Sequence, residues 1–139
     1  MMKKMIQLEE AAQLLAALVL LYLLPLHFSW WIWILLFLAP DVSMIGYLSN
    51  TRTGSVLYNL FHHKAVAFIL LVIGILSGYI ALQAAGLLLW GHASMDRVLG
   101  YGLKFPDDFK HTHLGMIGKK NINLQPKDVE EPGNLRWHG

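Results

Sequence analysis

Four side chains able to bind a cation or exchange a proton stand out in an otherwise apolar chain: Asp41, His62, His92 and Asp96. Two imidazoles and two carboxylates suit a hard or borderline divalent ion such as zinc, manganese or iron, with a position left for water. Water held by such an ion becomes a nucleophile near neutral pH. His92 and Asp96 are four apart in the sequence and so share one face of a helix. All four are candidate metal ligands, and Asp41 and Asp96 are also the candidate catalytic carboxylates. Ser43, Tyr58 and Asn59 are expected to orient a substrate or steady a ligand. His111 and His113, in the stretch His111-Thr112-His113, are expected to fold back over the mouth of the site.

Plainer roles stand beside these. His92 and Asp96 would also serve as a buried pair that fixes packing, and Asp41 as a cap on a helix restarting after Pro40. His63 and Lys64 are expected to reach for headgroups. Arg97 is read as an interfacial anchor or as the partner of Asp96.

The elements that must position these groups follow from composition. The chain has 139 residues, 55% hydrophobic and only 14% charged, with a mean hydropathy of +0.46. A soluble domain averages about 25% charged residues, so the membrane class is indicated and the lipid bilayer is the expected surrounding. Cysteine is absent, which excludes disulfides and thiolate sites. A net charge of +2 with no basic run excludes a nucleic-acid partner. Lys3 and Lys4 precede an apolar run interrupted by Glu9, Glu10 and Gln13, so this run is read as retained rather than cleaved.

The sequence predicts an all-α membrane protein, an antiparallel bundle of four transmembrane helices over residues 8–24, 30–48, 55–76 and 80–99. Pro25 ends the first, Trp30, Trp31 and Trp33 mark re-entry, and Ser77-Gly78-Tyr79 separates the last two. Pro40 inside the second frees a backbone carbonyl one turn earlier, which predicts a kink and a local pocket. Gly46, Gly54, Gly74, Gly86 and Gly91 are expected to be close-packing positions between helices. Residues 1–103 form the membrane domain and 104–139 a polar tail, with Phe105 and Phe109 packing on the bundle and the chain beyond 119 disordered.

Basic residues Lys3, Lys4, Arg52, Arg97, Lys104 and Lys110 fall on one side, and the turns at Pro25 and Ser77 carry none. The positive-inside rule then places both termini in the cytoplasm. From that boundary Asp41, His62 and His92 each lie roughly 13 Å deep at helical rise, with Asn59 and Asp96 shallower. Three ionisable groups at one depth predict a pocket open to the cytoplasm.

Ala39-Pro40-Asp41-Val42-Ser43, Tyr58-Asn59 with His62, His92 with Asp96-Arg97-Val98-Leu99-Gly100-Tyr101-Gly102-Leu103-Lys104, and Thr112-His113-Leu114-Gly115 resemble a family of small bacterial integral-membrane proteins, domain of unknown function 4260. The resemblance spans residues 8–115 and implies a short multi-span protein of the bacterial inner membrane. A second likeness, to membrane-bound metal-dependent hydrolases, rests on His and Asp on helices. The expected function is a metal-dependent membrane hydrolase of a lipid-like substrate. Rival readings are a haem-binding module through His62 and His92, a small transporter or proton-coupled channel with Asp41, His92 and Asp96 as proton relay, whose path a homo-oligomer would complete, and a structural partner in a membrane complex.

Overall fold

The structure, a computed structural model, describes residues 1–117. Helix α1 (Met2–Leu23) stops where Leu24 turns extended ahead of Pro25, the conformation a following proline enforces. Helix α2 (Trp30–Leu38) passes into a 3-10 helix (Ala39–Leu48) with Pro40 in its first turn. Helix α3 (Thr51–His62) is capped by Asn50, whose side chain accepts the Thr53 N–H at 2.8 Å. Helix α4 (Lys64–Ser77) ends on Gly78 and helix α5 (Ile80–Leu99) on Gly100, both left-handed with φ of 73° and 93°. A two-stranded hairpin, β1 (His111–Thr112) and β2 (Gly115–Met116), follows.

Helix α5 is the axis of the fold. It packs along α1 and α4 and touches α2 and α3, and it has buried residues on every side, from Ala84 through Leu87, Leu88 and Gly91 to Ser94. Its neighbours run antiparallel to it: Gln7 donates to the Val98 carbonyl and Trp90 to Gln13 across α1, while Gly74 meets Gln83 and Gly86 meets Leu71 across α4. A Cβ on Gly86 would stand 2.6 Å from the Leu71 nitrogen, so these two backbones touch. On the other hairpin, Gly54 lies under the Tyr47 ring and beside Gly46. The expected close-packing role of these glycines is therefore present. Outward faces carry exposed Leu15, Leu18, Val19, Trp30, Ile69 and Val72, an apolar surface in keeping with candidate membrane spans.

Two stretches, Met2–Leu23 and Trp30–Leu48, are individually long and apolar enough to cross a membrane, and the pair Thr51–His62 and Lys64–Ser77 makes a third if taken together across its 45° bend. The expected uninterrupted run over residues 55–76 is thus corrected: the helix begins at Thr51 and breaks at His63, which is extended and whose ring accepts the Ala65 N–H at 3.2 Å. Helix α5 matches the expected residues 80–99 but carries Gln83, His92, Ser94, Asp96 and Arg97, and is not apolar enough by itself. Phe109 packs edge-on against Tyr47 at 5.0 Å, so this part of the tail lies on the bundle, whereas Phe105, also expected there, is exposed and lies against His111 of the tail itself. The expectation of disorder beyond residue 119 lies outside the described residues.

Candidate metal centre

Three helical elements bring the four candidate ligands together. Asp41 comes from the first turn of the 3-10 helix, His62 from the last turn of α3, and His92 and Asp96 from α5. The four ligand atoms all lie within 4.8 Å of one another. His62 Nε2 is 3.1 Å from His92 Nε2, 3.5 Å from Asp41 Oδ1 and 3.4 Å from Asp96 Oδ2. His92 Nε2 is 3.2 Å from Asp41 Oδ1 and 3.8 Å from Asp96 Oδ1. A tetrahedral ion with bonds of about 2.0–2.1 Å sets its ligands about 3.3–3.4 Å apart; the separations from the two ring nitrogens, 3.1–3.8 Å, scatter around that edge, within a group that spans up to 4.8 Å.

The backbone fixes both imidazoles. His62 Nδ1 lies 2.8 Å from the Tyr58 carbonyl and His92 Nδ1 2.8 Å from the Phe37 carbonyl. A carbonyl only accepts, so both Nδ1 atoms carry protons and both neutral rings turn Nε2 lone pairs toward each other. Two lone pairs and two carboxyl groups facing one point are a donor set that a metal ion, or a proton shared within the cluster, would satisfy. Phe37 is available because Pro40, three residues on, has no N–H to offer its carbonyl in a 3-10 ladder. The pocket expected behind Pro40 is therefore the seat of His92.

His92 and His62 are 0% and 3% exposed, whereas the Asp41 side chain is 43% exposed, so the cluster opens on the Asp41 side. Tyr58 supports it twice: its hydroxyl donates to Asp96 Oδ2 at 2.9 Å, and its ring stacks on His62 at 3.8 Å. Ser43 Oγ and Tyr47 Oη, both on the 3-10 helix, are buried with no hydrogen-bond partner among the described residues. An apolar cavity of about 280 Å³ lies alongside, lined by Pro40 and Phe61, the chain neighbours of Asp41 and His62, together with Leu70, Ala85 and Leu88. A larger apolar cavity of about 940 Å³ opens between the end of α1 and α2 and shares Leu88 with it.

Other expected participants lie elsewhere. Asn59 makes a reciprocal amide pair with the Lys104 backbone, both bonds 2.7 Å, and so anchors the tail rather than the cluster. His113 accepts the Leu103 N–H at 2.7 Å and His111 pairs with Asp107 at 2.7 Å, so neither covers the mouth; the imidazoles are used to hold the hairpin. Lys64 does not reach for headgroups. It donates to Glu10 and, at 2.5 Å, to Gln13, both on α1. Arg97 lies 3.6 Å from Glu10, not on Asp96.

Sequence reasoning missed two groups. Glu10, only 7% exposed, is the centre of that ionic cluster, and its sole signal was a carboxylate three residues from Gln13 on one face of an apolar helix. Lys104, 4% exposed, was read as a tail charge. Burial pushes its ammonium below the usual lysine range, with the charge of Asp96 acting in the opposite sense.

The profile of a family described as "Domain of unknown function (DUF4260)" matches residues 3–117, which takes in every residue of the cluster. Neither a curated protein nor a solved structure matches.

Proposed function

We propose that this chain, which belongs to the DUF4260 family of unknown function, is a four-helix inner-membrane enzyme that uses a divalent metal to hydrolyse a lipid-like substrate. The observation that carries the reading is the convergence of Asp41, His62, His92 and Asp96, whose ligand atoms lie within 4.8 Å of one another, with both Nδ1 atoms against backbone carbonyls. A carbonyl or carboxylate on the outer ring nitrogen is the usual support of a metal-bound histidine. A divalent ion there supplies a Lewis acid and an acidified water. Tyr58 holds Asp96 in place, and Asp41, the most exposed of the four, is the side from which substrate enters.

The surroundings favour an amphipathic substrate. The smaller apolar cavity, lined by the chain neighbours of Asp41 and His62, shares Leu88 with the larger one, and the two offer room for an acyl or isoprenoid chain. The cluster's end of the bundle gathers the N-terminus, the Asn50 turn and the tail, with Lys3, Lys4, Arg52, Arg97, Lys104 and Lys110 in these segments. By the positive-inside rule this end is cytoplasmic. With α5 shielded among three other spans, its polar residues need not face lipid, which favours counting it as the fourth. The haem reading is disfavoured, since Asp41 and Asp96 stand 3.2 and 3.4 Å from the histidine nitrogens, in the space a porphyrin would take.

The test is hydrolysis of short-chain carboxylic and phosphoric ester amphiphiles by zinc- or manganese-loaded protein in lipid nanodiscs. Turnover lost with chelator, restored by metal and absent in Asp96→Asn is expected. Turnover indifferent to chelator, or no turnover with any of these esters, would contradict the reading.

A further inference from the structure

Lys104 is the second unusual group at this end of the molecule. Its residue is 4% exposed, yet its Nζ donates to only one acceptor, the Phe109 carbonyl at 3.1 Å. Nζ lies 3.3 Å from the centre of the Phe109 ring and 4.8 Å from that of Tyr58. Among the described residues no carboxylate lies within ion-pair distance of it. Buried cations are ordinarily paired with an anion, because the ring faces and one carbonyl replace little of an ammonium's hydration.

A carbonyl and two ring faces surround Nζ, and Asp96 acts on it from beyond ion-pair distance. Nζ has three protons and no lone pair. Tyr47, whose buried hydroxyl has no partner among the described residues, meets edge-on the same Phe109 ring that Lys104 covers. The Tyr58 ring links Lys104 to the metal-ligand cluster, since its hydroxyl holds Asp96. The loop is clamped there by design of the chain: Asn59 pairs with both backbone groups of Lys104, and Lys104 bridges Thr112 of the hairpin. Such a clamp fixes the ammonium beside the cluster instead of leaving it to solvent.

We infer that Lys104, with the Tyr47 hydroxyl, forms an anion subsite for a phosphoryl group, so that the substrate of the neighbouring cluster is a phosphate ester of an amphipathic alcohol. This rests on the metal-hydrolase reading above and names its substrate class. A tetrahedral oxyanion is rich in acceptors, as this set of donors requires, and lysine is a common point-charge partner for phosphate. Two aspartates neutralise a divalent ion, so the charge of a bound phosphoryl group must be met from elsewhere; Lys104 meets it. In the reaction the water oxygen forms a bond to phosphorus, the bond from phosphorus to the alcohol oxygen breaks, and one water proton passes to the departing alkoxide.

Calorimetric titration of full-length, metal-loaded protein in nanodiscs with inorganic phosphate and with dioctanoyl phosphatidic acid tests this. Wild type is expected to bind at least one of them, Lys104→Met to bind about tenfold or more weakly, and Lys104→Arg to keep most of the affinity, in line with a charge-assisted bond. Preference for the phosphatidic acid identifies a lipid headgroup as the ligand, and equal binding identifies free phosphate. A melting temperature of Lys104→Met at or above that of wild type, with weakened binding, marks a functional and not a structural lysine. Binding unchanged in Lys104→Met, or no binding of either probe to wild type, overturns the subsite. Metal content of the same samples reads the hydrolase reading separately: full metal with Lys104-independent binding sinks only the subsite, and metal-free wild type sinks the reading beneath it.

Discussion

At the scale of single residues, the argument turns on which nitrogen of each histidine carries the proton. The Tyr58 and Phe37 carbonyls decide it, and they leave two lone pairs 3.1 Å apart. Types and depths in the sequence were enough to pick out Asp41, His62 and His92. Asp96, read as shallower than these three, joins them through its carboxylate, 3.4 Å from His62 Nε2 and 3.8 Å from His92 Nε2. The partners of Lys104 and Glu10 lie 45 and 54 residues away in sequence, in Asn59 and Lys64, beyond any local pattern. Tyr58 is the most direct test at this scale. Tyr58→Phe keeps the stack on His62 and removes only the bond to Asp96, and should weaken metal binding about tenfold in a competition titration with a chromogenic chelator. An unchanged affinity would mean that Asp96 needs no such support.

At the scale of elements, Pro40 sets the centre by leaving the Phe37 carbonyl to His92. Pro40→Ala restores a competing N–H, and should lower metal affinity about tenfold while far-UV dichroism stays that of the wild type. Unaltered affinity would show that the proline has no such part. The proline's consequence was readable in advance, as were the turns at Pro25, Asn50 and Gly78, because their residues fix backbone geometry locally. The bend at His63 was not readable. Its cause is tertiary: Lys64 turns toward Glu10 and Gln13 on α1 while His62 stays under Tyr58.

At the scale of the whole molecule, α5 separates two buried polar clusters. One joins Asp41, His62, His92 and Asp96; the other joins Glu10, Gln13, Lys64 and Arg97. Only the first converges on lone pairs without a cation in it, since the second already pairs its carboxylate with two bases. A bundle that shields so polar a helix behind α1, α3 and α4 places its chemistry inside protein even though its outer faces are apolar.

The most direct measurement is metal content by mass spectrometry on detergent-purified wild type, His92→Gln and Asp96→Asn, each stripped with chelator and reloaded with zinc or manganese. The account predicts about one tightly held ion per chain in wild type and loss in both variants, since each removes a ligand from a site that folding has assembled. A wild type that stays empty after reloading, with variants equally stable to heat, would contradict it and leave an extra proton as the cation shared by His62 and His92.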